Sequence, residues 1–338
     1  MPKENLILAI ETSCDDTAMA VVRVKNGKFE ILSNIISSQI KLHQKYGGVY
    51  PYLAKREHEK NLSPVYQKAL KSARIQASDI SHIALTIGPG LSPCLWAGIN
   101  FAVSLAKELK IAIAPTNHIE GHLLSVLAKD DIEWPAVGLI VSGGHTQLIL
   151  AGGLGKYEIL GETRDDAAGE CFDKTARIMG LKYPGGPEIA QTAKDFKGKS
   201  KIELPRPMIN SKDYDFSFSG LKTATLNHFN NQKKVTKKYI ANLAFEVQQA
   251  IIDVLLKKTV RAAKDFGIKT VIVSGGVSAN MELKKQFGRK IKELRGVNLL
   301  VPEAKLCTDN AVMIAIAGHF SKKTKNYDKI KAQPNLRI

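Results

Sequence analysis

The chain is poor in cysteine, in acidic charge and in long apolar runs, and each shortage excludes something. Its 338 residues hold four cysteines, Cys14, Cys94, Cys171 and Cys307, far apart and with no CxxC pair. Neither a disulfide framework nor a thiolate zinc site is expected, and the four read as buried, reduced thiols. No apolar run reaches the roughly 18 residues of a membrane helix. The stretch Leu6–Ile10 before Glu11 is too short for a signal-peptide core. The expected address is therefore cytoplasmic, with no membrane partner. No GxxxxGKS or GxxxxGKT run exists, which excludes a P-loop. Gly88-Pro89-Gly90-Leu91-Ser92-Pro93 fails the dinucleotide fingerprint GxGxxG at its last position.

The acidic shortage leaves 32 Asp+Glu against 49 Lys+Arg, a formal charge of +17. A field of that sign attracts polyanions and speeds their capture. Residues 194–238 carry 11 Lys/Arg and 4 Asp/Glu, and Lys322, Lys323, Lys325, Lys329 and Lys331 form a second cluster. Such runs are commonly plain solvated surface; together they favour contact with nucleic acid.

What is present is a repeated pattern. Leu6–Thr12, Thr17–Val24 and Ile31–Ser37 read as strands, followed by a helix over Tyr52–Ser72, a strand over Ile83–Ile87, a helix over Leu95–Leu109 and a strand over Ile111–Ala114 ended by Pro115. The series then restarts. Ala136–Val141, Thr146–Leu150 and Tyr157–Leu160 are strands and Ala167–Met179 a helix. After an irregular basic insertion at about 183–236 come a long helix over Lys238–Phe266, a strand over Thr270–Ser274, a helix over Asn280–Leu294, a strand over Val297–Val301 and a helix over Asp309–Phe320. At 338 residues the chain suits two domains of roughly 100–200 residues each. The repetition predicts two duplicated α/β lobes with mixed sheets. We divide them as 1–116 and 117–320, with a C-terminal helix over 321–338 packing back on the first lobe.

Three small-residue turns share a design: Glu11–Thr17, Ile140–Gln147 with Ser142-Gly143-Gly144, and Val273–Asn280 with Ser274-Gly275-Gly276. Glycine there lets backbone N–H groups approach an anion. The third turn opens a helix, whose N-terminus favours negative charge. One such turn means little, because hairpins use Gly-Gly routinely; three in matching lobe positions point to a nucleotide.

Between the lobes lies Asn117-His118-Ile119-Glu120-Gly121-His122. His118 and His122 stand one helical turn apart and project from one face. Asp309, in Cys307-Thr308-Asp309-Asn310, is a suitable third ligand. Two imidazoles and a carboxylate leave coordination positions open, which suits catalytic iron(II) or zinc better than a closed structural site. Glu120 does not make a zinc protease, because HExxH places the glutamate directly after the first histidine.

These residues together resemble the bacterial TsaD (Gcp/YgjD) family of tRNA N6-adenosine threonylcarbamoyltransferases. The resemblance runs nearly the whole chain: AIETSCDDTA (9–18), GPG (88–90), NHIEGH (117–122), VSGGHTQL (141–148), GECFDKTAR (169–177), YPGGP (183–187), LPRPM (204–208), DFSFSGLKTA (215–224), SGGVSAN (274–280) and CTDNAVMIA (307–315). It implies two ribonuclease-H-like lobes of the actin-like ATPase (ASKHA) superfamily with a cleft between them. It implies transfer of threonylcarbamoyl from threonylcarbamoyl-AMP to N6 of adenosine 37 in tRNAs reading ANN codons, forming N6-threonylcarbamoyladenosine (t6A). It further implies one Fe2+ per subunit, with Zn2+ as the alternative, and an adenine nucleotide with Mg2+. The implied partners are TsaB and TsaE, with a TsaC-type enzyme making the donor.

Carried onto this sequence, the implied metal ligands are His118, His122 and Asp309. The implied nucleotide contacts are Ile140, Val141, Ser142, Gly143, Gly144, Asp173, Gly186 and Asn280. Archaeal and eukaryotic relatives have a tyrosine ligand at the place of Ile140, so that fourth ligand is missing here. Two further departures are Ala190, where relatives often carry an acid, and Tyr52, where bacterial relatives usually have glutamate. Among the acids near the turns, Glu11, Asp15, Asp16 and Asp173, we take Asp173 and Glu11 as catalytic candidates. Arg206 and Lys222 are candidate tRNA contacts. The competing readings are a metalloprotease of the O-sialoglycoprotein endopeptidase type and an ASKHA small-molecule kinase.

Overall fold

The computed structural model describes residues 5–338. Its contacts divide the chain into two compact units, residues up to Asp131 together with Asp309–Ile338, and Ile132–Thr308.

In the first unit, β1 (Asn5–Glu11), β2 (Asp16–Lys25) and β3 (Lys28–Ser38) form an antiparallel meander. After the single-turn helix α1 (Ile40–His43) comes α2 (Pro51–Ala73), which opens on proline, where the missing N–H costs no intrahelical bond. Next come β4 (His82–Gly88), α3 (Ser92–Leu109), β5 (Ala112–Asn117) and α4 (His118–Leu124). β4 and β5 add parallel to β1, giving the order β3-β2-β1-β4-β5. Leu6, Leu8 and Ile10 alternate onto one face of β1. There they join Leu62 and Val65 of α2 and Ala102 and Leu105 of α3 in one core.

In the second unit, β6 (Ala136–Val141), β7 (Thr146–Gly153) and β8 (Lys156–Glu162) repeat the meander. α5 (Ala168–Ile178), α6 (Gly185–Ala193), α7 (Ser219–Asn230) and α8 (Lys237–Asp265) follow, then β9 (Thr270–Ser274), α9 (Met281–Lys292), β10 (Asn298–Leu300) and the one-turn α10 (Ala304–Cys307). The sheet order is β10-β9-β6-β7-β8, with β9 parallel to β6 and β10 parallel to β9. Read from the other edge, this is the order of the first sheet, so the duplication inferred from the repeated pattern holds strand for strand. α8 is long and apolar enough to cross a membrane by length and composition. Leu243, Val247, Ile251 and Val254, however, are wholly buried at helical spacing and form the centre of this unit's core.

α11 (Ala311–Phe320) returns to the first unit and packs on β1, β2, β4 and β5. Three features depart from the expected organisation. Residues 117–131 and 309–320 belong to the first unit, because α4 and α11 pack on each other and on that sheet. Residues 321–338 form no α-helix; the segment is irregular, with one 3-10 turn at Tyr327–Lys329. It still docks, through Ile113 paired with Thr324 and through buried Ile330. The 183–236 stretch contains α6 and α7, and Ile189, Leu204, Phe216, Phe218 and Leu221 are core residues. Its charge had masked a buried face.

Candidate active site

β5 delivers the site in the first unit. The strand continues through Pro115 to Asn117, which proline permits because β5 is the outer strand of the sheet. The Asn117 side-chain oxygen accepts the N–H groups of Ile119 (2.8 Å) and Glu120 (3.2 Å), capping α4. His118 and His122 therefore leave the helix on one face, with ring centroids 4.8 Å apart. Between them, Gly121 has no side chain for a reason: a Cβ there would lie 2.9 Å from Ile314 Cδ1 and 3.3 Å from Met313 Cγ. This close approach seats α4 against α11. Asp309 precedes Asn310, whose side chain caps α11 by accepting the Met313 N–H at 3.1 Å.

The three sequence-predicted ligands converge. His122 Nε2 lies 3.1 Å from Asp309 Oδ1, and His118 Nε2 lies 3.6 Å from the same oxygen. One ligand atom from each residue falls within 4.8 Å of the others, and both histidines are buried. Behind His118, Glu11 Oε2 sits 3.0 Å from Nδ1 and accepts the Thr86 hydroxyl at 2.6 Å. The other Glu11 oxygen accepts the Ser13 N–H at 2.5 Å. A carboxylate on Nδ1 keeps a proton there and turns Nε2 toward Asp309, the outer-shell arrangement that orients metal-ligating histidines. The donor set thus fits a divalent metal such as iron(II) or zinc.

This also assigns Glu11, taken as a catalytic candidate, to a different place. It is wholly buried and committed to His118, Thr86 and Ser13, placed to orient the His118 ring. Glu11→Gln, which keeps the shape and weakens the pull on Nδ1, is expected to lower metal affinity about 10–100-fold. Competition against a chromogenic chelator measures it, and unchanged affinity would refute the role.

Electrostatics follow the same geometry. Burial disfavours a charged His118, yet Glu11 and Asp309 beside it carry its pKa up to about 9. Burial holds His122 below the usual imidazole value, against its hydrogen bond to Asp309. Burial raises Glu11, but His118 more than offsets this and leaves the carboxyl below its usual value. Burial also raises Asp15, and pushes Asp16 up to about 7 against a hydrogen bond from Ser38. A metal must displace a proton from His118 at neutral pH, because His118 is raised and therefore protonated below about 9. Metal binding should release one proton, and affinity should rise about tenfold per pH unit up to that value. Calorimetric titration in buffers of different ionisation enthalpy counts that proton.

In the second unit, the SGG turn joins β6 to β7 as Glu11–Asp16 joins β1 to β2. Ile140 and Val141 lie inside β6 and are wholly buried; Val141 joins this unit's core, and Ile140 points to the opposite face of the sheet. Ser142, Gly143 and Gly144 emerge from the strand, and a Cβ on either glycine would meet nothing within 4 Å. Asp173 Oδ1 accepts the Gly185 N–H at 2.6 Å and also engages Gly186, tying α5 to the start of α6. Burial raises its pKa to about 6 against those two N–H groups. Asn280 caps α9 through Glu282 and Leu283 and donates to Gln248 at 2.8 Å. Asp173 and Asn280 are thus already engaged in holding the turns.

The two tRNA candidates are also engaged internally. Arg206 pairs with Glu246 and with Asp253 at 3.0 Å, and Lys222 pairs with Asp166 at 3.0 Å. The exposed cations of this stretch are Lys194, Lys197, Lys199, Lys201, Lys212, Lys233, Lys234, Lys237 and Lys238.

Residues 30–316 match the family described as "TsaD: tRNA N6-adenosine threonylcarbamoyltransferase". The chain belongs to the TsaD family. A relative from Syntrophomonas wolfei subsp. wolfei, named tRNA N6-adenosine threonylcarbamoyltransferase, is 45% identical over 338 residues, covering 99% of this chain and 98% of the relative. One from Bacillus subtilis with the same name is 43% identical, covering 99% and 96%. Among solved structures, full-length HypF in its phosphate- and nucleotide-bound form superposes with a TM-score of 0.60 at 14% identity. The match covers 94% of this chain and 56% of HypF, and it shows a shared fold.

Sequence reasoning missed Thr86, His43 and His58. Thr86 sits in a buried strand 75 residues from its partner Glu11, and nothing local marks it. His58 reaches the carbonyl of Cys14 at 3.0 Å and Thr17 at 2.8 Å. A histidine amid the charged residues of α2 carried no signal of that role.

Proposed function

We propose that the chain is a metal-dependent acyltransferase, moving the threonylcarbamoyl group of threonylcarbamoyl-AMP to N6 of adenosine 37 in tRNAs that read ANN codons. The observation that carries this reading is the convergence of His118, His122 and Asp309, backed by Glu11, in a chain of this family. Absence of HExxH disfavours the protease reading, and the His-His-Asp set has no evident task in a small-molecule kinase.

The acceptor amine is a poor nucleophile, because its lone pair is delocalised into the purine. N6 forms the new bond to the carbamoyl carbon, AMP leaves with the electron pair of the anhydride bond, and N6 loses a proton. Catalysis then depends on positioning N6 and on stabilising the oxyanion. A metal held by the three ligands supplies Lewis acidity with open coordination positions; iron(II) is our first assignment and zinc the alternative. Once deprotonated, His118 and His122 would present Nε2 to that metal, and Glu11 would fix the His118 tautomer. Gly143 and Gly144 offer backbone N–H groups to the donor's phosphate, while the Ser142 N–H is held by the His145 carbonyl at 2.8 Å. The exposed lysines of 194–238 suit the backbone of a polyanion. We assign TsaB and TsaE as partners, a TsaC-type enzyme as source of the donor, and the cytoplasm as location.

The test is incubation of the metal-loaded chain with threonylcarbamoyl-AMP, unmodified tRNA and those partners, followed by mass spectrometry of the nucleosides. Threonylcarbamoyladenosine should appear; its absence with intact donor would overturn the reading.

A further inference from the structure

Tyr46, Tyr50 and Tyr52 lie within seven residues and are 61%, 54% and 70% exposed. A single exposed tyrosine is ordinary surface. Here the Tyr46 and Tyr50 rings stack on each other, centroids 5.9 Å apart at 25°. Tyr52 projects from the first turn of α2. The same segment, residues 40–60, carries five cations against two acids; Lys55 pairs with Glu59 and Lys60 with Glu57, while Lys41, Lys45 and Arg56 are exposed.

The patch is also firmly mounted. His43 is wholly buried; it accepts the Tyr50 N–H at 3.3 Å and bonds Gln39 at 3.1 Å. Gln39 donates its backbone N–H to the Asp15 carbonyl at 3.1 Å and its side-chain amide to Ala54 at 3.2 Å. His58, also wholly buried, holds the Cys14 carbonyl from within α2. Two buried histidines thus fasten the tyrosines to Cys14 and Asp15, the residues that follow Ser13. Ser13 in turn contacts both Glu11 and His118.

We propose that Tyr46, Tyr50 and Tyr52 are a stacking platform for unpaired bases of the tRNA anticodon loop flanking the acceptor adenosine. This rests on the tRNA reading above and names the part of the chain that takes the loop. Exposed rings among cations on a rigid mount are what single-stranded nucleic acid requires: bases stack on the rings while the cations track the backbone. The charge of the patch complements RNA.

The test uses the full metal-loaded chain and an anticodon stem-loop with 2-aminopurine beside the acceptor adenosine, with a loop-free duplex of the same stem as control. Binding should quench the fluorophore. Alanine at Tyr46, Tyr50 or Tyr52 should each weaken stem-loop affinity on the order of tenfold, leaving duplex affinity and metal content unchanged. Phenylalanine, which keeps the ring, should restore binding. Wild-type stem-loop affinity in the triple alanine variant, or binding without quenching, would overturn the platform while leaving the tRNA reading intact; the patch would then belong to a protein partner. Failure of the unmodified chain to bind any stem-loop, together with failure to form threonylcarbamoyladenosine, would overturn both.

Discussion

His122→Ala is expected to lower threonylcarbamoyl transfer by on the order of a thousandfold and to empty the metal site, while leaving nucleotide binding by the second unit in place. The side chain is wholly buried, and its Nε2 faces Asp309 at 3.1 Å. Losing it leaves two donors, too few for a stable open site. Removal of one preorganised electrostatic contribution to an acyl-transfer step costs up to about 4 kcal/mol, which is the origin of the thousandfold figure. Alanine is a strong helix former, so α4 should persist. Circular dichroism and binding of a fluorescent adenine nucleotide separate a lost metal from a lost fold. Full turnover in this variant, with donor and tRNA supplied, would refute the metal's part in transfer.

Gly275→Ala is expected to have the largest effect on the second unit. Gly275 has φ +90° and ψ 164°, a conformation open essentially to glycine alone. A Cβ there would lie 2.4 Å from the Val141 carbonyl oxygen and 2.8 Å from its carbon. Both neighbours are backbone, so no side chain can rotate away. Ser274, just before it, is in register with Ile140, and the displaced segment would push on β6 where the Ser142–Gly144 turn begins. The cost should reach about 3 kcal/mol or more. Calorimetry should place the loss in the second unit's transition, as a fall in Tm of roughly 6–12 °C, and affinity for adenine nucleotide should fall with it. A variant that melts and binds nucleotide like the parent would show that the β6–β9 approach is unimportant. Gly288→Ala in α9 is the matched control, since its Cβ would meet nothing within 4 Å.

The duplicated architecture was legible because strand alternation and helical spacing are local properties of sequence. β1 and β6, with their meanders, could be read from apolar runs alone. The His118–His122–Asp309 cluster was legible for a different reason: two histidines at helical spacing are a local signal, and Asp309 precedes an evident helix start. What sequence reading misjudged involved distant partners. Pro115 suggested a strand end, but an outer strand tolerates proline. The lysine-rich 183–236 stretch looked irregular because its buried residues, such as Phe216 and Phe218, are few among many charges. Arg206 looked like a phosphate contact because its carboxylate partners lie 40 and 47 residues away. Nothing in the sequence around Glu11 shows that His118 and Thr86 come to meet it.

The most direct test of the account is metal analysis of the purified chain coupled to the transfer assay. The protein should bind one equivalent of divalent metal per chain. A chelator should remove it together with transfer, and iron(II) or zinc should restore both. Full-rate transfer by the metal-free protein would contradict the central claim.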